Sequence, residues 1–190
     1  PEGEWQPMTD ESMAFRRALC RQKPYCFLLN THYADVDLTE IERYMQRCLF
    51  YGMYPGFFSE NASTDCFFEN PEWYEPARPL FKKYIPLLRM IGSAGWQAVT
   101  HARADGGAYI ERYGEPESGA LFFSLLNESP GESSTRVTID LASLALAGRP
   151  LRIQELVTGT TPPSSESQGQ LRLELVLPPH SARLLSLTVE

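Results

Sequence analysis

One stretch of this sequence limits the possible folds more than any other: residues 44–73, which read YMQRCLFYGMYPGFFSENASTDCFFENPEW. A helical pattern with an apolar face ends at Gly52, and a short aromatic run then occupies residues 54–58. The polar segment 59–65 follows this run and leads into a second helical pattern. Helix, glycine, short buried strand, polar loop and helix in this order are typical of an α/β unit.

A second apolar run, YCFLL, occupies residues 25–29 and is followed by a polar cluster that starts at Asn30. An unbroken apolar run of this length is typical of a strand buried on both faces of a parallel sheet. Helices are predicted on both sides of it, one over residues 9–22 and one that starts at an Asp37 capping box. The two apolar runs are therefore predicted to be neighbouring parallel strands, with polar loops at the carboxyl ends, where α/β folds usually bind ligands.

The helix after the second strand is interrupted by prolines in the sequence. Asn70 is the predicted cap, because a proline suited to the first helical position follows it. Pro76 and Pro79 are predicted to divide the helical region into a short helix and a longer one near residues 79–92. Pro86, inside the longer helix, is predicted to produce a kink.

The pattern changes after residue 95, where helical periodicity ends and short segments separated by turn residues begin. Asp105-Gly106-Gly107 has the composition of a hairpin turn, and the segment 159–169 has that of a long loop. Short strands at this spacing are typical of an antiparallel β-sandwich. The predicted strands cover residues 97–103, 108–113, 120–126, 136–141, 151–158, 171–177 and 182–189.

The predicted fold class is therefore α/β plus all-β, with one domain over residues 1–95 and another over residues 96–190. The first domain is too short for a complete (β/α)8 barrel, which takes about 200 residues or more. The second domain, about 90 residues long, is large enough to form a core of its own.

Charge and motif content argue against several classes of partner. The net charge of −7 argues against nucleic acid or an anionic membrane, and no apolar run approaches the roughly 20 residues of a membrane span. The cysteines lack the CxxC spacing of zinc sites, and no HExxH, GxSxG, GxGxxG or P-loop pattern occurs. No metal or other cofactor is therefore predicted.

The cysteines are predicted to be reduced, with Cys26 and Cys48 buried as thiols inside apolar runs. This pattern, together with the lack of a signal-like segment after Pro1, points to the cytoplasm but leaves export open. Because the first residue is not Met, the chain is expected to be a fragment or a processed product.

Several segments resemble the carboxyl-terminal end of barrel glycoside hydrolases, in which the last βα units of a (β/α)8 barrel pass directly into a small antiparallel β-domain. These segments read CLFYGMYPGFFSENA, FFENPEWYEPARPLFKKYIPLLRMIGSAGWQAVTHAR, YIERYG and LPPHSARLLSL. The resemblance implies that the runs at 25–29 and 54–58 are the last two barrel strands of a glycosidase that works by carboxylate acid/base chemistry. The implied partners are a carbohydrate substrate and the missing amino-terminal part of the barrel.

The same resemblance implies which residues line the sugar cleft. They are Asn30, His32 and Asp35 after the first strand, and Glu60, Asn61 and Asp65 after the second. Hydrolysis needs two carboxyl groups, about 5 Å apart for retention or about 6.5–9.5 Å apart for inversion. Glu60 is the candidate catalytic carboxyl because it closely follows a buried strand; its alternative role is a cap or a salt bridge within a loop.

The second catalytic carboxyl is expected in the missing part of the barrel. Asn30 stands at the end of the implied seventh strand, where such enzymes often have a carboxylate. The chain by itself is therefore expected to be inactive, because its sheet edges and its carboxyl pair are incomplete.

Aromatic side chains are dense around the second strand and can stack on sugar rings, with Tyr33 and Trp73 as the first candidates. The alternative is that this aromatic density forms the core, and His32 equally suits a structural role. Two other functions stay open. The β-sandwich can be a non-catalytic module that binds carbohydrate or protein, with Tyr109 and Tyr113 on one strand face. The chain can also be a cleavage product paired non-covalently with its missing half.

Overall fold

A computed structural model of the protein describes residues 2–4, 9–58 and 66–190. The described residues form three α-helices and twelve β-strands. The helices are α1 (Asp10–Cys20), α2 (Leu38–Tyr51) and α3 (Pro71–Ala94), and short 3-10 helices span Tyr33–Asp35, Phe67–Glu69 and Pro116–Ser118.

Three of the strands form a parallel sheet in the order β1 (Glu2–Glu4), β2 (Cys26–Asn30) and β3 (Tyr54–Phe58). Cys26 pairs with Tyr54, and the register continues to the pair Asn30 and Phe58. The prediction of two neighbouring parallel strands is confirmed, with the first strand shifted by one residue. β1 is not among the predicted strands.

The first two helices begin at the predicted caps. The side chain of Thr9 accepts a hydrogen bond from the backbone N–H of Ser12, and Asp37 accepts one from Glu40. α2 ends at Gly52, whose φ of 61° is left-handed. Glycine adopts this conformation at little cost, so the short turn into β3 starts there.

α2 connects the parallel sheet to the rest of the molecule. The hydroxyl of Tyr44 donates to the carbonyl of Phe27 in β2, and accepts the N–H of Gly56 in β3 at 2.7 Å. At the other end of α2, the carbonyl of Phe50 accepts bonds from the hydroxyl of Tyr113 at 2.6 Å and from another buried hydroxyl. Buried hydrogen bonds to the parallel sheet on one side and to Tyr113 on the other therefore hold this helix in position.

α3 is one helix, so the predicted division at its prolines is wrong. Pro76, Pro79 and Pro86 are all exposed. The carbonyl groups that lose a helical partner belong to exposed residues, and water pairs with such groups. The opposite face packs into the core, and its burial outweighs the lost bonds. The buried residues of this face are Ala77, Tyr84, Leu88 and Ile91. The kink at Pro86 stays a prediction.

Replacing Pro86 with alanine is expected to raise the free energy of unfolding by about 1–3 kcal/mol, because alanine restores the N–H that donates to the carbonyl of Lys82. Chemical denaturation followed by circular dichroism measures the change. Pro71→Ala is the matched control, since a missing N–H in the first turn has no helical acceptor; its effect is expected to stay below about 0.5 kcal/mol. Equal effects at the two positions would contradict this explanation.

The remaining described strands form two antiparallel sheets. One has the order β10 (Ser164–Ser167), β11 (Gln170–Leu177), β8 (Ser133–Asp140) and β5 (Ala102–Ala104). The other has the order β4 (Trp96–Gln97), β6 (Tyr109–Tyr113), β7 (Ala120–Asn127), β12 (Ser181–Val189) and β9 (Leu151–Glu155). The two sheets share one apolar cluster, to which both contribute fully buried side chains such as Phe123, Ile139, Leu173 and Leu185.

The predicted hairpin at residues 105–107 is wrong, because the strands on its two sides belong to different sheets. β5 pairs with β8, whereas β6 pairs with β4 and β7. The carboxylate of Asp105 accepts the N–H of Arg136 at 2.5 Å and so ties the turn to β8. Ala102 and Ala104 pack against the shared cluster. The burial of these two side chains therefore favours the pairing of β5 with β8 over the hairpin with β6 that the local sequence predicts.

β10 lies inside the segment 159–169, which the sequence predicts to be a loop. Its four residues are all exposed, and it pairs with β11 at the edge of the sheet. An edge strand with polar residues on both faces lacks the apolar alternation by which strands are recognised in a sequence.

The predicted domain boundary near residue 95 coincides with the end of α3. The apolar core continues across this point, since Tyr113, Phe122 and Leu184 of the five-stranded sheet are buried in one cluster with α2. The division into residues 1–95 and 96–190 stays a prediction.

The two cysteines predicted to be buried differ in exposure. Cys48 is fully buried on α2, and burial raises the pKa of its thiol. Cys26 in β2 is half-buried. The prediction of a buried thiol is therefore confirmed for Cys48.

Candidate functional site

The carboxyl ends of β2 and β3 form one edge of the parallel sheet, where Asn30 and Phe58 are direct register partners. Directly after β2 the chain turns sharply, because the N–H of Asp35 donates to the carbonyl of His32 at 3.0 Å. The side chains of His32 and Asp35 are exposed, and Asn30 is half-buried. The structure therefore brings three of the predicted site residues to the same edge, which we call the sheet edge. It consists of Asn30, His32, Asp35 and Phe58.

Tyr33 lies behind the sheet edge, with 4% of its surface exposed. Its hydroxyl donates to the carbonyl of Leu29 at 2.7 Å, and burial raises its pKa well above the ordinary value of a tyrosine. Its ring centroid lies 4.9 Å from that of Phe67 and 5.7 Å from that of Trp73. Tyr33 therefore supports the edge from inside the core, and Trp73 is half-buried beside it.

Phe58 carries the exposed aromatic surface at this edge, with 47% of its area accessible. Phe57 points the other way and stacks on Phe67 at 4.3 Å. This alternation is the signal that sequence reasoning missed, since neighbouring side chains of a strand point to opposite faces. If Phe57 is in the core, Phe58 is not.

Glu60, Asn61 and Asp65 lie outside the described residues. Their assignment to the sugar cleft, and that of Glu60 as a catalytic carboxyl, stay predictions. The last described residue of β3, Phe58, precedes Glu60 by two positions.

The described side chains and helices bear on two other functions, metal binding and membrane crossing. No group of three or more His, Cys, Asp or Glu side chains among them is arranged to hold a metal ion. In the same part of the chain, no helix combines the length and the apolar character that crossing a membrane requires.

No protein-family model matches the sequence, and no curated protein matches it. Solved structures that align with it include a GH27 β-L-arabinopyranosidase from Geobacillus stearothermophilus, with a TM-score of 0.48 and 19% identity over 81% of this chain and 31% of that one. α-Galactosidase I from Mortierella vinacea aligns with a TM-score of 0.47 and 14% identity over 88% of this chain and 41% of that one.

Thermotoga maritima α-fucosidase in complex with fucose aligns with a TM-score of 0.45 and 13% identity over 90% of this chain and 41% of that one. All three are glycosidases, and this chain spans less than half of the length of each. Their TM-scores are below 0.5, so these alignments do not establish a function for the chain.

Proposed function

We propose that the chain is the carboxyl-terminal part of a glycoside hydrolase and that the sheet edge forms one wall of its sugar cleft. The observation that carries the proposal is the parallel register that pairs Asn30 with Phe58. It supports the proposal because ligands of open and closed parallel α/β sheets bind where the carboxyl ends of neighbouring strands meet.

The parallel sheet has features that suit a larger barrel. Among the described residues, β1 and β3 each pair on one side only, so the sheet has two open edges. In β2, Phe27 and Leu29 are fully buried, whereas Cys26 and Leu28 are only half-buried. A closed (β/α)8 barrel would pair both edges and cover the half-buried face. The two antiparallel sheets are then the accessory β-sandwich that follows the barrel.

The side chains of the sheet edge suit a sugar chemically. The imidazole of His32 and the carboxylate of Asp35 offer hydrogen bonds to hydroxyl groups. The exposed ring of Phe58 offers an apolar face to the C–H groups of a pyranose. In the whole enzyme Glu60 would act as one of the two catalytic carboxyls, with the other supplied by the rest of the barrel.

His32→Ala is expected to weaken the binding of simple glycosides about tenfold, because it removes a side chain that bonds to sugar hydroxyls. Nuclear magnetic resonance titration of the chain with p-nitrophenyl glycosides of galactose, glucose, xylose and fucose measures the affinity. Because His32 is exposed, the unfolding temperature is expected to change by less than about 2 °C. No p-nitrophenol release is expected from the chain without the rest of the barrel.

His101→Asn is the matched control, since His101 lies in the antiparallel part before β5 and asparagine tolerates its left-handed φ of 50°. This variant is expected to bind like the unchanged protein. Equal affinities of the His32→Ala variant and the unchanged chain would reject the sheet edge as a sugar site.

The non-catalytic module remains the alternative, and one observation favours it. Tyr109 on β6 is 49% exposed, although Tyr113 on the same strand is buried at 1%. If the glycosides perturb resonances around Tyr109 and leave the sheet edge unchanged, the binding function belongs to the antiparallel part.

A further inference from the structure

A cleft of about 750 Å³ lies between α2, α3 and two segments of the antiparallel part, and none of the sheet-edge residues lines it. This volume is within the range of about 300–1,000 Å³ that is usual for small-ligand sites. Glu42, Arg43 and Gln46 line it from α2, and Lys83 and Tyr84 from α3. The turns contribute Thr158, Pro178, Pro179 and His180, and β12 contributes Ser181 and Arg183. Nothing in the sheet-edge site uses this space.

A carboxylate in the wall of the cleft is held in a defined position. Oε1 of Glu42 accepts hydrogen bonds from Lys83 Nζ at 2.9 Å and from the hydroxyl of Tyr84 at 2.8 Å. Burial by itself would raise the pKa of Glu42, but the bonds from Lys83 and Tyr84 and the charges of Lys83 and Arg183 outweigh it and leave the pKa below its ordinary value. Glu42 is therefore ionised at neutral pH, and its side chain is 35% exposed to the cleft and solvent.

The charges of the wall balance. Among the described residues that line the cleft, three side chains are cationic and three are carboxylates. Lys83 pairs with Glu42 as described, and an Arg43 guanidinium nitrogen lies 3.0 Å from Glu128 Oε2 just outside the lining. Arg183 Nε lies 3.8 Å from the buried carboxylate of Glu155. A wall without excess charge attracts a neutral polar ligand rather than an anion or a cation.

Two buried nitrogen atoms of the lining side chains, Arg43 Nε and His180 Nδ1, have no hydrogen-bond partner among the described residues. The nearest carboxylate oxygen to His180 Nδ1, Glu128 Oε2, is 3.8 Å away, which is too far for a hydrogen bond. Buried polar groups are normally paired with protein, water or ligand atoms.

We propose that this cleft binds a neutral oligosaccharide at a second site, separate from the sheet edge. A sugar hydroxyl both donates and accepts, so it matches a wall in which an ionised carboxylate and an ammonium group stand side by side at Glu42 and Lys83. The proline rings at 178 and 179 offer apolar surface to the C–H face of a pyranose. This second site can be tested independently of the sheet-edge site, because the two sites share no residue.

The test is a nuclear magnetic resonance titration of the ¹⁵N-labelled chain, in which shifts of the amide signals report binding. The ligands are xylotriose, cellotriose and mannotriose, with trigalacturonic acid as the anionic counterpart. We expect at least one neutral trisaccharide to perturb the amides of Thr158 and Ser181 in the cleft. Lys83→Met and Glu42→Gln are each expected to weaken that binding about tenfold. Lys82→Met is the matched control: Lys82 is exposed on the same helix, does not line the cleft, and its replacement is expected to leave the affinity unchanged.

Three results would overturn the proposal. The first is no perturbation in the cleft by any neutral trisaccharide up to about 10 mM, a limit that still detects very weak binding. The second is a preference for trigalacturonic acid, and the third is equal weakening by Lys82→Met and Lys83→Met. The two sites are distinguished by His32→Ala, which is expected to leave the cleft affinity unchanged even where sheet-edge binding is lost.

Discussion

Glu155→Ala is expected to lower the free energy of unfolding by about 3–5 kcal/mol, because it removes a buried charged acceptor on which several donors depend. Glu155 is 1% exposed at the end of β9. Oε1 accepts the N–H of Val157 at 2.7 Å and that of Leu184 at 3.2 Å, while Oε2 accepts the N–H of Thr158 at 2.9 Å. The hydroxyl of Thr158 also donates to Oε2.

Alanine at position 155 would leave the N–H groups of Leu184, which is buried, and of Val157, which is half-buried, without an acceptor, whereas water can reach the exposed Thr158. Because Glu155 joins the turn after β9 to β12, we expect the turn to lose its order as well. Urea denaturation followed by tryptophan fluorescence measures the loss in stability, and hydrogen exchange at Val157 and Thr158 measures the loss of order.

Glu174→Ala is the matched control for this prediction. Glu174 is on β11 and pairs with Arg136 at 3.2 Å, but its side chain is 72% exposed. An exposed ion pair contributes about 0–1 kcal/mol, so the control is expected to change stability by no more than that. Losses of similar size in the two variants would show that Glu155 does not have the structural role described here.

Gly52→Val is expected to lower the free energy of unfolding by about 2–5 kcal/mol, the sum of a left-handed backbone penalty and of overpacking. The φ of Gly52 is 61°, which a β-branched residue adopts only with strain. A Cβ at this position would lie 2.6 Å from Cε1 of Tyr113. That ring cannot move aside easily, because it is buried and its hydroxyl is bonded to Phe50.

Two further glycines separate the backbone effect from the steric effect. Gly148 has a φ of 72° and open space around a Cβ, so Gly148→Val is expected to show the backbone penalty of about 1–2 kcal/mol. Gly131 also has open space and is not among the glycines with positive φ, so Gly131→Val is expected to show neither effect. Thermal unfolding monitored by circular dichroism ranks the three variants. A loss at Gly52 no larger than that at Gly148 would contradict the steric explanation.

Features encoded within a few residues were predictable from the sequence. The caps at Thr9 and Asp37 and the stop at Gly52 depend on one side chain or one backbone conformation each. The two apolar runs identify β2 and β3 because strands of parallel sheets have few polar residues. Their predicted burial on both faces is wrong, since β2 alternates between buried and half-buried residues and β3 has no fully buried residue. The parallel arrangement of these strands follows from the helix between them, since a helical crossover joins parallel strands.

The candidate site was predictable only in part, and Tyr33 and Phe58 illustrate why. Both lie close to the ends of apolar runs, and both are aromatic. Tyr33 is buried because its hydroxyl reaches the carbonyl of Leu29 and its ring packs on Phe67, whereas Phe58 is exposed because Phe57 takes the inward position. The burial of Tyr33 depends on Phe67, which is distant in sequence, so no local pattern reports it. For Phe58, strand alternation shows that it and Phe57 face opposite sides, but only the packing of Phe57 on Phe67 decides which of the two faces solvent.

Local chemistry in the sequence thus accounts for where α1, α2, β2 and β3 begin or end and for the polar side chains that follow β2. Long-range packing accounts for the rest: the continuity of α3 through its prolines, the pairing of β5 with β8, and the cleft between α2, α3 and the distant turns. The physical reason is that a cap or a glycine acts through bonds within one turn of chain. Burial, by contrast, depends on surfaces contributed by residues such as Glu42 and Arg183, which lie far apart along the chain and meet only in the folded molecule.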